Sequence, residues 1–264
     1  MGLSVEVAHL SYGYPNQDIL LRDISFTVRA GETLCLLGPN GSGKTTLLLC
    51  LLAIHQLAAG SVSIGTSNIH HMSRKKLARE IAYVPQSIAT AFPFSVFDMV
   101  LMGRTPHLSK FSVASAEDEE QAGGALERLG IIHLKDRAFN EISGGERQLV
   151  LIARALCQEA RVMIMDEPTA SLDYGNQIRI LQIINELRDS GYAIIVTTHN
   201  PDHALLAATH AAIMKNGRIV FHGSPDEIIT SQNLSGLYAT KIHVLKTSFP
   251  GEPGSEVKVC IPRM

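Results

Sequence analysis

The sequence predicts an α/β fold: an open sheet with a ligand site at its carboxyl edge, an N-terminal antiparallel β subdomain and an α-helical insertion. Three observations predict it. The apolar run Leu34 to Leu37 leads into Gly38-Pro39-Asn40-Gly41-Ser42-Gly43-Lys44-Thr45-Thr46 and then a second apolar stretch, Leu47 to Leu52. That order is a buried strand, a glycine-rich turn and a helix. Two more short apolar runs, Val162 to Met165 and Ala193 to Thr198, also end in residues suited to phosphate chemistry. Between the first run and these two, successive helix starts take the chain away from the sheet.

With 264 residues, 45% of them hydrophobic, the chain can bury a sizeable core as one large or two modest domains. A formal net charge of −2 gives no general pull towards nucleic acid or a membrane surface. No apolar run approaches the ~18 residues of a membrane span, and the N-terminus lacks a signal-peptide pattern. Cys35, Cys50, Cys157 and Cys260 are scattered singly, three of them in apolar segments that suit small buried thiols, with no disulfide or metal framework. The expectation is a soluble protein of a reducing compartment.

Taken in order, Leu3 to Val7 and Ile24 to Val28 alternate as a strand pair around the turn Tyr12-Gly13-Tyr14-Pro15-Asn16. Tyr12 or Tyr14 could stack on a nucleotide base, or simply pack its own turn. In the glycine-rich turn, backbone N–H groups can curl round a phosphate. Lys44 can reach the outer phosphates, Thr45 can place its hydroxyl on Mg²⁺, and the helix N-terminus adds positive potential. Strand-like residues 60 to 69 follow, then a short polar helix from Ser73 whose basic cluster is a solvated face. Ile81 to Val84 is a strand ended by Pro85-Gln86, where Gln86 is either a ligand to Mg²⁺, a contact to the attacking water, or an exposed loop residue.

Ser95 and Asp98, then Ser115 and Asp118, have capping-box spacing and should start helices ending near Gly103 and Gly130. The aromatic and methionine-rich stretch Ala91 to Phe111 suits a docking surface, although such stretches are more often core. Ser143 and Glu146 start another helix, and Gly144 and Gly145 expose its first turn. Four free N–H donors and a serine hydroxyl would make an anion site there; an ordinary capped helix is the plainer alternative.

Asp166-Glu167 closes the strand Val162 to Met165. Two adjacent carboxylates at a buried strand's end need cationic partners. Asp166 can hold Mg²⁺ and Glu167 can polarise a water beyond it. Ser171-Leu172-Asp173 precedes an amphipathic helix from Asn176 to Ser190, closed by Gly191. The third apolar strand ends in His199. Three strands delivering phosphate-relevant groups at their carboxyl ends imply one nucleotide site, built from Lys44, Thr45, Asp166, Glu167 and His199. Lys215-Asn216-Gly217 marks a hairpin, Ser224 a short helix, and 248 to 255 a loose tail before a final strand, Val257 to Ile261.

The ordered set resembles the ATP-binding subunit of ABC transporters. It has a Walker A loop at Gly38–Thr45, a glutamine loop at Gln86, a signature at Ser143–Gly145, a Walker B end at Asp166–Glu167, an aspartate loop at Ser171–Asp173 and a switch histidine at His199. The resemblance implies a P-loop NTPase (RecA-like) core at 1–86 and 159–221, including the antiparallel β subdomain. It implies a helical subdomain carrying the signature at 87–158, and a C-terminal helix and tail at 222–264, all within one ABC ATPase domain. It implies ATP and Mg²⁺, with Thr45, Gln86 and Asp166 at the metal and Tyr14 stacked on adenine. Lys44, Glu167, His199 and Gln86 are implied in hydrolysis, with Gln86 also sensing the γ-phosphate for the permease. Ser143, Gly144, Gly145, Glu146 and Asp173 are implied to meet a nucleotide held by a second copy in a head-to-tail dimer. The signature reads Ile-Ser-Gly-Gly-Glu rather than the commoner Leu-Ser-Gly-Gly-Gln, which leaves the caps and glycines intact and puts the Glu146 contact in question.

The stretches 96–104, 146–154 and 172–177 resemble the subgroup serving iron-siderophore, haem, vitamin B12 and molybdate-type importers. That likeness implies two copies on a membrane permease dimer, docked near Ala91–Phe111 at the cytoplasmic face of the bacterial inner membrane. A periplasmic or extracellular substrate-binding protein would be an indirect partner. The alternatives are an exporter subunit or a soluble, non-transport ABC ATPase. The soluble nucleic-acid machines carry long coiled-coil insertions or two tandem halves, whereas this chain has one set of motifs and a short insertion.

Overall fold

Alternate residues of the apolar strands face opposite sides of one sheet, and that alternation sets the architecture. The computed structural model describes residues 4–88, 92–109, 112–248 and 256–263. The chain opens with β1 (Ser4–Gly13), β2 (Ile19–Arg29) and β3 (Thr33–Leu37), then α1 (Lys44–Leu51), β4 (Ala59–Ile64), β5 (Ser67–Asn68), α2 (Arg74–Glu80) and β6 (Ile81–Val84). The helical insertion holds α3 (Val96–Leu101), α4 (Ala116–Arg128) and α5 (Gly144–Cys157). It returns to β7 (Val162–Met165), α6 (Tyr174–Asp189), β8 (Ala193–Thr198), α7 (Pro201–Ala207), β9 (His210–Lys215) and β10 (Arg218–Gly223). The last elements are α8 (Pro225–Ile228), α9 (Ser231–Tyr238), β11 (Ile242–Ser248) and β12 (Glu256–Pro262).

Six strands form the main sheet in the order β10-β9-β3-β8-β7-β6. β3, β8, β7 and β6 run parallel side by side, so their carboxyl ends share one edge. Leu34, Leu36, Val162, Ile164, Ala193 and Ile195 face a core shared with α1 and the antiparallel strands. Cys35, Leu37, Met163, Met165, Ile194 and Val196 face the other way, towards the helices. Parallel strands covered on both faces read as continuous apolar runs, as these three do. A second sheet, β2-β1-β4-β5, is antiparallel.

The predicted caps are formed. Ser95 closes a capping box on α3, Ser115 on α4 and Ser224 on α8. The helix predicted from Asn176 begins earlier, at Tyr174, because the Asp173 carboxylate accepts the Asn176 N–H and so caps it. The Asn216-Gly217 turn joins β9 to β10, with both residues at positive φ. The four cysteines are unpaired, and burial pushes Cys35 and Cys50 up to about 12 and Cys157 up to about 11. Among the described residues no helix is long and apolar enough to cross a membrane.

Two expectations are corrected. The stretch Ala91–Phe111, expected to be a docking surface, is divided. Val96, Met99 and Val100 lie in the core because α3 packs on α4 and α5, while Phe92 is exposed; Ala91, Lys110 and Phe111 lie outside the described residues. The final strand expected at Val257–Ile261 is present as β12, but the C-terminal segment expected as one helix and a tail holds two helices and a two-stranded antiparallel sheet. β11, which the sequence reading passed over, pairs with β12 from Ile242–Pro262 to Ser248–Glu256. Of the loose tail expected at 248–255, residues 249–255 lie outside the described residues.

Candidate active site

The glycine-rich turn needs glycine for its backbone shape. Gly41 and Gly43 have positive φ, and a Cβ on Gly43 would stand 2.8 Å from the Leu21 side chain. Gly43 is also the N-cap of α1, with no side-chain cap and no acid in the first turn, so the helix's leading N–H groups stay available. The Ser42 hydroxyl is buried without a hydrogen-bond partner. Such an orphaned donor inside an anion cradle fits a phosphate.

Lys44 is only 5% exposed, and its ammonium donates to Gly38 O at 2.8 Å and Pro39 O at 3.3 Å. It also stands 3.2 Å from Glu167 Oε1, while the His199 ring, through Nδ1, lies 3.0 Å from Glu167 Oε2. The structure thus joins the ends of β3, β7 and β8 through one carboxylate. Glu167 adopts φ 44°, in the left-handed region, a local cost of about 1–3 kcal/mol where the carboxylate leaves β7.

Below it, Asp166 is buried and its Oδ1 accepts the Thr197 hydroxyl at 2.6 Å. The same Thr197 oxygen accepts the Glu167 N–H at 2.8 Å. Thr197 thus orients both carboxylates, a role the sequence reading missed. Its signal was a pair of threonines, Thr197 and Thr198, ending a strand whose other residues are apolar. His203 was missed too: its Nδ1 lies 3.1 Å from the Thr169 hydroxyl, and burial, the main cause, depresses its pKa and favours the neutral ring.

A cleft of about 390 Å³ is lined by Leu20, Asn40, Gly41, Gly43, Lys44, Thr45, Thr46, Gln86 and Glu167. It gathers most of the turn, and Gln86 from the end of β6. Among the described residues no three His, Cys, Asp or Glu are grouped to hold a metal. A hydroxyl, an amide and one carboxylate are hard oxygen donors that fit Mg²⁺ shared with phosphate oxygens. Thr45 and Gln86 line the cleft, and the buried Asp166 directly precedes Glu167, which also lines it, so these are the residues that would hold the ion.

Of the two tyrosines left open by sequence, Tyr12 is 6% exposed and stacked on His55 at 4.6 Å, whereas Tyr14 is 38% exposed and meets both rings edge-on. Tyr14 is therefore the one able to meet a base, though it is not among the residues lining the cleft.

The signature lies apart from this cleft. Ser143 Oγ accepts the Glu146 N–H at 3.3 Å, and Glu146 Oε2 accepts the Ser143 N–H at 2.8 Å. The four free donors expected there become two, those of Gly144 and Gly145. A Cβ on Gly145 would fall 2.6 Å from the Asn176 side chain, so a larger residue there would force Asn176 to move where α5 meets α6. Asp173 caps α6, and both its oxygens are engaged by Asn176 at 2.9 and 2.6 Å. Gly144 instead borders a second cleft of about 440 Å³, shared with Gln86, Gln148 and Leu172.

Residues 21–170 match the family described as ABC transporter. The chain is 40% identical over 241 residues to an uncharacterized ABC transporter ATP-binding protein of Haemophilus influenzae, covering 91% of each. It is 35% identical to the molybdate import ATP-binding protein MolC of the same organism, covering 90% of this chain and 89% of the relative. Among solved structures it is similar to a metal-chelate type ABC transporter in an inward-facing conformation, at 30% identity and a TM-score of 0.89, covering 100% of this chain and 98% of the other.

Proposed function

The chain belongs to the ABC transporter family as an ATP-binding subunit, and from that premise we propose that it hydrolyses ATP to drive uptake of a metal chelate, cobalamin, haem or oxyanion through a membrane permease. The observation that carries the reading is the Lys44–Glu167–His199 cluster at the shared carboxyl edge of β3, β7 and β8. The importer class is supported by similarity to a molybdate import protein and to a metal-chelate type transporter.

In this reading the γ-phosphate lies against Lys44, whose ammonium spreads the charge that develops as a water attacks in line. Thr45, Asp166 and Gln86 would hold Mg²⁺, which when bound would supply further charge neutralisation. Glu167 polarises the water. Thr197 holds the Glu167 N–H, so the carboxylate is aimed from its own backbone. His199 meets the γ-phosphate and, through Nδ1, steadies Glu167. Tyr14 takes the adenine.

The signature turn keeps two N–H groups outside its capping box, on the exposed Gly144 and the buried Gly145, away from the cleft. We take this as support for a head-to-tail dimer in which Ser143–Gly145 of one copy caps the ATP of the other. The exposed Phe92 and the flanks of α3 are the candidate permease contact, and the subunit would then sit peripherally at the cytoplasmic face of the membrane. Loss of the bridging phosphate on hydrolysis would loosen the dimer and release the permease.

Glu167→Gln tests the assignment. It should bind ATP with near-normal affinity, lower turnover at least ~100-fold and accumulate an ATP-bound dimer in size-exclusion chromatography. Wild-type phosphate release by this variant would remove Glu167 from the mechanism.

A further inference from the structure

Beyond the cleft, α9, β11 and β12 form a unit that grips the loop following β8 from both ends. The Tyr238 hydroxyl, at the end of α9, donates to the His199 carbonyl at 2.6 Å. The Cys260 N–H, on β12, donates to Asp202 Oδ1 at 3.0 Å, in the first turn of α7. Between the 199–202 loop and Tyr238, Ile242, Cys260 and Pro262 lies a cavity of about 350 Å³.

We propose that Tyr238 is a positioning residue for His199, and that α9, β11 and β12 brace the histidine relative to Glu167. The proposal rests on the reading of His199 as the residue that meets the γ-phosphate.

His199 is the first residue beyond β8 and its side chain is more than half exposed, so packing does little to fix it. The peptides on either side are secured from within the core. Thr198 O accepts the Gly38 N–H at 3.3 Å, and the Asn200 N–H donates to Thr198 Oγ1 at 3.0 Å. The 199–200 peptide is thus held on its N–H side by Thr198, and Tyr238 secures its carbonyl side; the two bonds together fix the plane of that peptide and with it the direction in which the imidazole leaves the chain.

The brace is itself stiff. Ser235 Oγ accepts the Ile242 N–H at 3.0 Å and Ser231 Oγ accepts the Val244 N–H at 2.8 Å, so α9 is stitched to β11. Tyr238, Ile242, Val244 and Cys260 pack against the main core. Burial raises the Tyr238 phenol well above its ordinary pKa, so it remains a protonated donor across the working range. A tyrosine that only filled space would need neither the hydroxyl nor the short bond.

The test is steady-state hydrolysis by the full-length chain carrying Tyr238→Phe, His199→Ala or both. A neutral hydrogen bond is worth a factor of about 3–10, so Tyr238→Phe should lower kcat by that factor and leave KM for ATP within about twofold. The ring is retained, so the melting temperature should fall by no more than a few degrees. In the His199→Ala background the Tyr238 change should have no further effect, because the group it positions is gone. Wild-type turnover by His199→Ala would overturn the role given to His199 itself. Slow turnover by His199→Ala, with wild-type kcat for Tyr238→Phe, would overturn only the positioning role. Additive losses in the double variant would also overturn it, since Tyr238 would then act elsewhere.

Discussion

Two helices of this chain, α1 and α5, begin at glycine-rich turns, and their first turns are built in opposite ways. At α1 the cap is Gly43, no side chain satisfies the leading N–H groups, and the residue that follows is a buried lysine. At α5 the cap is Ser143, a capping box consumes two of the four leading donors, and the first turn carries an acid, Glu146. The first end is incomplete without an anion. The second is stable alone and offers only a partial contact. A strong phosphate grip and a weak, separable one are what a switch needs, since the weak half can let go when the charge between the halves falls.

The comparison breaks most severely at α1. Lys44→Ala removes the ammonium that bridges the loop carbonyls and Glu167. Turnover should fall by ~10²–10³, and nucleotide binding, followed with a fluorescent ATP analogue, should weaken with it. Retained tight binding would mean that the glycine-rich turn alone carries the grip.

At α5 the expected loss is smaller and of another kind. Gly145→Ala drives a Cβ into Asn176, and overpacking of this sort costs about 1–3 kcal/mol. The melting temperature should drop by a few degrees, and the two remaining donors should shift. ATP binding to the single subunit should survive while ATP-driven association weakens. Equal loss of both would show that the two ends are not separable.

The two ends also differ in how far the sequence disclosed them. Gly38–Thr46 is legible because its glycines, lysine and threonine are local and consecutive, and the strand and helix around it are strongly apolar. Asp166, Glu167 and His199 were legible because each terminates an apolar run, and adjacent strand ends converge. Thr197 and Tyr238 were not, because their partners lie 31 and 39 residues away and depend on strand order and on the C-terminal sheet. β11 was passed over because it pairs only with β12 and is half-buried, so no alternation announces it. The capping box at Ser143 was read correctly from spacing, yet its consequence for the donor count needed the direction of the Glu146 carboxylate.

That carboxylate supplies the finest distinction. The hydroxyl and N–H of Ser143 hold the Glu146 carboxyl below the ordinary range, so it is charged at neutral pH. A depressed carboxyl stabilises the fold above its unfolded pKa of ~4.3, and that contribution fades as pH falls through the folded value. Glu146→Gln keeps the shape of the cap and removes the charge. Its stability should therefore respond less to acidification below about pH 4 than that of the wild type, as thermal melts would record. A negative charge at the helix start stabilises α5 but opposes an incoming phosphate, with a charge–dipole scale of about 0.3–1 kcal/mol. In the Glu167→Gln background, Glu146→Gln should then tighten ATP-driven association about two- to fivefold at low salt, measured by sedimentation, with the gain shrinking as salt is added. An unchanged association constant at low salt would mean that the capping box screens the charge from the nucleotide completely. The two helix starts would then differ in donor count alone.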